Sequence, residues 1–340
     1  MDNQLQINRA LDINEIEEPS EIRGVIAILM MNPNLSPENY FNNFNSEEVV
    51  GQNGETAGFG IYIDDEGGLV SMTTHACHRN FIDNPQLSTE ILISRAFRRM
   101  ICFGAKPKAL SAFLYHINAS SEEGERIVTS TKLGIENCAL KFGVKVADRK
   151  IRFDHFVENE KPTLIVTAVG KIEESCNLLT HKFKQKGNNL FVIGESKNDI
   201  NASEYLQFYH RIQQAYFPSF DLNVEEQLHH IMPELIARGL ITSAIPVGRG
   251  GIYFSLLRAA LPAQLGFDIT TDAEIRIDAF LFGEAMGRLI VGVSDEHVVD
   301  FVDYMQSTDM PFFTLGHITK GEIRIDDESY GFIDKMMNKQ

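Results

Sequence analysis

The stretch Leu240–Leu261, LITSAIPVGRGGIYFSLLRAAL, sets Pro246, Gly248, Arg249, Gly250 and Gly251 between a short apolar strand and an apolar helix. A glycine pair opening a helix lets a ligand approach free backbone N–H groups, where the helix dipole favours an anion. Arg249 adds a fixed positive charge. The turn carries no carboxylate, so it suits a phosphate and offers nothing to a magnesium ion. The competing reading is a glycine turn kept only for its geometry.

Other groups invite similar weighing. His75, Cys77 and His78, with Arg79 beside them, fall within five residues. On a strand, positions 75 and 77 share a face, but a zinc or iron ion needs a fourth ligand that the neighbouring sequence does not supply. A polar pocket lining is the alternative, and His75, His78 and Arg79 are carried forward as phosphate- or nucleotide-contacting candidates. Glu284 and Arg288 flank Gly287 four residues apart; they either pair and fix a turn or meet a ligand. Arg98, Arg99 and Lys106 border a helix end and read as a solvated face that suits the helix dipole. Ser203 before Glu204 reads as an N-cap, and His229-His230 as a solvated or boundary pair. No Ser/His/Asp or Cys/His arrangement can be argued from spacing, and no residue is assigned a catalytic role.

These residues sit in a chain of 340, with 44% hydrophobic and 23% charged residues, a composition ordinary for globular proteins of about two domains. The net charge of −16 argues against nucleic acid or an anionic membrane as the main partner. The four cysteines form no CxxC pair, so reduced thiols in a cytoplasmic protein are expected. The first 22 residues are acidic and polar, unlike a signal peptide, and no apolar run reaches the ~18 residues that span a bilayer.

The positioning elements follow from periodicity and punctuation. Residues 1–22 read as a mobile or loosely docked lead-in, and Gly24–Met31 as a strand or buried turn. Gly58–Ile63 and Leu69–Thr74 read as a hairpin, Thr89–Phe103 and Glu122–Phe142 as helices closed by Gly104 and Gly143, and Leu110–His116, Val144–Phe153 and Thr163–Val169 as strands. A polar stretch near 170–187 suggests domains at 23–172 and 173–340. The second half reads as a strand at Asn189–Ile193, helices near Ser203–Gln214 and Val224–Arg238, then the opening strand–turn–helix. Strands near Leu265–Ile269, Arg276–Phe282 and Leu289–Val293, a helix at Glu296–Met305 and a hairpin of Phe312–Ile318 with Glu322–Asp326 complete it. Strands and helices mix without strict alternation, which indicates α+β.

Several phrases, in order, resemble one family. ICFGAKPKAL at Ile101–Leu110 resembles the "GA.P.AL" phrase of the aminoimidazole ribonucleotide synthetase superfamily. NLFVIGESKNDINASEYL at Asn189–Leu206 is similar to the "LLGET…GGSEYL" stretch of phosphoribosylformylglycinamidine synthases. FGEAMGRLIVGV at Phe282–Val293 resembles their "FSES.GR" strand, and the glycine turn their "AHDVSDGGL" turn. Leu29–Gly51 resembles the start of the second half of the synthetase's internal duplication. The resemblance implies a two-domain α+β fold in which a four-stranded N-terminal sheet pairs with a second copy into a barrel-like homodimer. It also implies a C-terminal α+β domain and ATP with a phosphoribosyl-amide substrate in the cleft between domains.

The departures bear on chemistry. The family's Asp-Gly after the hairpin reads His75-Ala76; its Asp and Gly around the helix-start proline read Asn84 and Ser88, flanking Pro85. Its polar strand positions read Ala112 and Tyr115, its Gly-Asn reads Arg149-Lys150, its glycine pair before SEY reads Asn201-Ala202, and both aspartates of the turn read Pro246 and Arg249. Of the acids expected, Glu195, Glu204 and Glu284 remain. ATP-dependent phosphoryl transfer needs carboxylates that hold magnesium against the phosphates. The expectation is therefore a relative of the purine-biosynthesis synthetase that has lost catalysis. It would bind ATP, ADP, phosphate or sulfate through His75, His78, Arg79, Arg249, Gly250, Gly251, Glu284 and Arg288, as a homodimer or beside a purine-pathway paralogue. The rival expectation is an active ATP-dependent ligase whose carboxylates come from a partner chain or from other positions.

Overall fold

The computed structural model describes residues 11–36, 59–63, 68–77, 81–118, 120–151, 162–173, 179–212 and 217–337. His78 and Arg79 lie outside them.

The first sheet has five strands in the order β1-β2-β5-β3-β4: β1 (Phe59–Ile63), β2 (Leu69–Cys77), β3 (Ala105–Tyr115), β4 (Lys145–Ile151) and β5 (Thr163–Ile172). The β1–β2 hairpin is as the sequence predicts. All pairs are antiparallel except β3–β4, which are joined by a helix. The sheet is open, so the barrel is not formed within one chain, and it has one strand more than the family resemblance implies. Alternation puts Leu110, Ala112, Leu114, Leu164, Val166 and Ala168 on a buried face. Helices α2 (Pro85–Cys102) and α3 (Glu122–Phe142) cover that face. Asn84 caps α2 by accepting the Leu87 N–H at 3.1 Å, with Pro85 in the first turn.

The second sheet runs β12-β11-β8-β10-β6-β9-β7. Its strands are β6 (Asn189–Ile193), β7 (Ser243–Pro246), β8 (Gly266–Ile269), β9 (Leu289–Val293), β10 (Phe312–Thr319), β11 (Glu322–Ile325) and β12 (Glu328–Phe332). It is buried on both faces. Leu190, Val192 and Ile290 pack with α5 (Gly251–Ala263) and α6 (Ile277–Phe282), while Phe191, Ile193, Leu289 and Val291 pack with α4 (Leu222–Ala237) and α7 (Val298–Gln306). Ile101 and Cys102, the end of α2, belong to this second face, so α2 ties the two sheets together.

The lead-in departs from expectation. Gly24–Leu29 is neither strand nor turn but part of helix α1 (Ile22–Leu29), whose Ile22, Val25, Ile26 and Leu29 recur at helical spacing, and only Met30 and Met31 form a turn. Residues 11–35 are docked on the second sheet's core rather than loose: Ile16, α1 and Leu35 are buried there. The Arg276 guanidinium donates to the carbonyls of Ile13 and Ile16 at 2.6 and 2.9 Å. Ser203 accepts the Leu206 N–H at 3.1 Å, as an N-cap should, but the helix that follows is a single π-turn over Tyr205–Tyr209.

Candidate functional site

The turn predicted to cradle a phosphate is built around a carboxylate of the chain itself. Gly250 and Gly251 have φ of 76° and 69°. A Cβ on Gly251 would lie 2.6 Å from the Leu281 carbonyl oxygen and 2.7 Å from the Phe282 carbonyl carbon, so only glycine lets α5 start against the end of α6. The turn's amides are largely spoken for: Gly251 donates to the Gly248 carbonyl at 2.9 Å, and Gly248 to Ser255 Oγ at 3.3 Å. The Gly250 N–H donates to Glu284 Oε1 at 2.9 Å. The same oxygen accepts the Glu204 N–H at 2.9 Å. Glu284 therefore sits where the helix dipole favours negative charge. Burial raises its carboxyl above the usual range, against the pull of Arg95 and the two amides.

Glu284 and Arg288 do not form the expected ion pair; among the described residues none joins them. Arg288, 1% exposed, donates to Ser196 Oγ at 3.1 Å and to the carbonyls of Gly283 and Ala285 at 2.8 and 3.2 Å. Burial lowers its pKa to about 10, with Arg98 adding to the effect and Asp199 and Glu284 opposing it. Both residues fix the 283–288 loop, each through its own bonds. Glu204 completes the network: its two oxygens accept the side-chain amides of Asn32 and Asn34 at 2.8 and 3.1 Å, tying the residues after α1 to the π-turn.

The second feature is a set of cations around His75. β2 turns Ser71, Thr73 and His75 toward the face that α2 covers. His75 Nε2 is buried with no hydrogen-bond partner. Burial first, then the charges of Arg99, Arg95, Arg249 and Arg98, lower its pKa to about 3, so the imidazole is neutral at pH 7. Arg249 is exposed and makes no ion pair among the described residues. The sequence reading of Arg98 and Arg99 as a solvated face is corrected: they are 1% and 7% exposed. Arg98 reaches across to the second sheet's helices. Its Nη2 lies 3.4 Å from Glu225 Oε1 and 3.1 Å from Met286 Sδ, and Glu225 in turn accepts the Gly287 N–H at 3.0 Å. The signal was present in the sequence. Ile91, Leu92, Ile93, Phe97, Met100 and Ile101 leave no wholly polar side on α2, so charges on it had to be interior.

A magnesium ion fits these residues poorly. Both Glu204 oxygens and Glu284 Oε1 already accept amides, and the exposed Glu195 pairs with Lys197 at 3.2 Å. Among the described residues no group of three or more His, Cys, Asp or Glu could hold a metal. A phosphate-bearing anion fits better, because the cluster supplies guanidinium groups and the partnerless His75 Nε2. Among the described residues Cys138 is a buried free thiol, and no helix is long and apolar enough to cross a membrane.

Comparison with known proteins agrees with this architecture. The family described as AIR synthase related protein, C-terminal domain, matches residues 185–327. The phosphoribosylformylglycinamidine synthase subunit PurL of Alkaliphilus metalliredigens is 25% identical over 322 residues, which are 93% of this chain and 43% of that protein. Among solved structures, T. maritima PurL complexed with ATP superposes with a TM-score of 0.71 at 16% identity, over 94% of this chain and 52% of that one. The same protein complexed with FGAR gives 0.73 at 15%, over 95% and 54%. The chain thus spans about half the length of the relatives it matches. Residues 185–327 therefore carry an AIR synthase related C-terminal domain, and over both sheets the chain is similar to one half of the phosphoribosylformylglycinamidine synthase subunit PurL.

Proposed function

We propose that this chain is a catalytically silent half-synthetase that binds a nucleotide or phosphate in the cleft between its two sheets. The observation that carries the reading is the cation cluster around His75, with Arg249 exposed at its edge. The acids that remain from the family pattern are engaged in backbone, side-chain amide or lysine contacts and are not grouped around a vacant metal position. Solved relatives complexed with ATP and with ADP support a nucleotide as ligand. A phosphoribosyl-bearing intermediate of purine biosynthesis is a second ligand of the same chemistry.

The partner is a second copy, or a related half-chain, seated on the outer face of the first sheet. That face carries Met72, Thr74, Phe113, Ile165, Thr167 and Val169, all partly exposed, and no described element of the chain covers it.

Titration calorimetry with ATP, ADP and phosphate tests the binding. Arg249→Ala is expected to weaken it at least about tenfold, as befits loss of a charged contact. Magnesium-dependent ATP turnover with formylglycinamide ribonucleotide and ammonia would refute the silent reading and favour an active ligase.

A further inference from the structure

Arg98 is 1% exposed, yet its Nε and Nη1 have no hydrogen-bond partner, and Ser71 Oγ, Thr73 Oγ1, His75 Nε2 and Ser94 Oγ nearby in the α2–β2 layer are buried and unpartnered too. Buried donors normally find acceptors, and a guanidinium with two unused edges is among the costliest exceptions. Arg98, Arg99, Arg95 and Arg249 all lie close enough to His75 for their charges to act on it. Among the described residues, Glu284 feels the charge of Arg95 and Glu225 those of Arg98 and Arg95, and burial raises the carboxyl pKa of both. One carboxylate oxygen, Glu225 Oε2, is unpartnered; its fellow oxygen already meets Arg98 and the Gly287 N–H, which leaves one free oxygen rather than a metal shell.

We propose that the cleft takes its phosphate-bearing ligand free of magnesium, with Arg98 Nε and Nη1 as buried donors to the anion and Arg249 closing on it from the turn. This rests on the binding reading above and specifies the ligand's charge class. Magnesium cancels two charges of a nucleoside triphosphate and occupies the oxygens that guanidinium groups would take. Without carboxylates to receive the ion, the complexed nucleotide is the poorer ligand. The four guanidiniums do the neutralising that metal does elsewhere.

The experiment is calorimetric titration of the full chain with ATP, once in EDTA and once in excess magnesium chloride, ionic strength matched with sodium chloride. Affinity is expected to fall about tenfold with magnesium, the order set by two unit charges acting through a partly screened site. Arg98→Lys keeps the charge opposite Glu225 but removes the two unused donor edges; it should weaken binding in EDTA and narrow the gap between the two conditions. Equal or tighter binding with magnesium overturns the proposal, as does an unchanged EDTA affinity in Arg98→Lys. Absence of ATP binding in both conditions instead overturns the binding reading on which the proposal rests.

Discussion

Glu284 gives the sharpest test of how this site is held. Its Oε1 accepts two backbone N–H groups, from Glu204 and from Gly250, each at 2.9 Å. Glu284→Ala leaves both donors buried and unsatisfied, at about 1–3 kcal/mol each. Some of that is recovered, because a buried ionised carboxyl is itself costly and Ala removes it. The expected net loss is about 2–4 kcal/mol, read as a lower urea midpoint. Glu284→Gln keeps an amide oxygen in the same place and removes the charge, so its loss should stay within about 1 kcal/mol. The pH dependence has a definite sign. The folded-state pKa lies above the model-peptide value of 4.5. Below 4.5 both states are protonated, and the contribution of this group is intact. As pH rises from 4.5 through the folded value, the folded state holds a proton that the unfolded state has released, and stability is lost. Wild type should therefore lose ground to Glu284→Gln across that window and not beyond it. Equal losses for Ala and Gln, or a Gln deficit that grows with pH, would refute the assignment of Glu284 as the acceptor that closes the turn.

Arg98→Leu strands the Glu225 carboxyl, which is 0% exposed, and should cost about 3–5 kcal/mol in urea unfolding, with Glu225→Leu in the same chain restoring much of it. His229, against Phe142 and Phe97 with ring centroids 4.5 and 5.9 Å away, has its pKa lowered to about 3 by burial, then by His230 and Arg98. The unfolded chain takes up a proton near 6.5 that the folded chain refuses, so stability should fall as pH drops from 6.5 towards 3. His229→Phe should flatten that slope in acid-titrated thermal melts. Ile165→Lys, on the outer face of the first sheet, should shift the mass measured by sedimentation from dimer to monomer while leaving the circular dichroism unchanged; a wild-type monomer would refute pairing through this face with its own copy.

The sequence marked most elements because their signals are local. The β1–β2 hairpin, the body of α2 and α3 ended by Gly143 all follow from local signals, although α2 begins at Pro85 behind the Asn84 cap rather than at the expected Thr89. What failed was non-local. Ile277–Phe282 is α6 rather than a strand, for six residues of mainly apolar sequence carry no period; its hold is the buried Asp278, which accepts from Tyr205 and Arg276. Phe312–Ile318 and Glu322–Asp326 look like a hairpin across Lys320-Gly321. Instead β10 and β11 flank β8 on opposite sides, and β11 runs parallel to it. The Glu322 carbonyl passes only 2.0 Å from where a Cβ on Gly266 would stand, so glycine at 266 admits that crossover. Strand β12 lies beyond the expected elements and pairs antiparallel with β11. At the site, the turn and Glu284 were visible as residue types, but their bond was not, since 34 residues separate Gly250 from Glu284. That the α2 arginines are interior follows from the helix having no wholly polar side, but their partners do not, because Glu225 and Met286 come from beyond the first sheet.

The pattern of acids kept and lost separates fold from chemistry. Asn84 stands where the family resemblance leads one to expect Asp, and it still caps α2 through a neutral oxygen. Capping needs an acceptor, not a charge, so that replacement is cheap for the fold. Glu284 and Glu204 remain, and each has oxygens bonded to groups of the chain: two backbone amides for one, two asparagine side chains for the other. Removing Glu284 would leave two buried amides unsatisfied and removing Glu204 would strand the buried Asn32 side chain, so folding alone is sufficient reason to retain them. Pro246 and Arg249, by contrast, replace acids at a turn whose geometry is set by Gly250, Gly251 and the carbonyls of α6. Nothing in that geometry calls for a carboxylate there. On the silent reading proposed above, acids useful only for holding metal are free to vary, and an arginine in their place gives the turn an anion edge where a metal edge would stand.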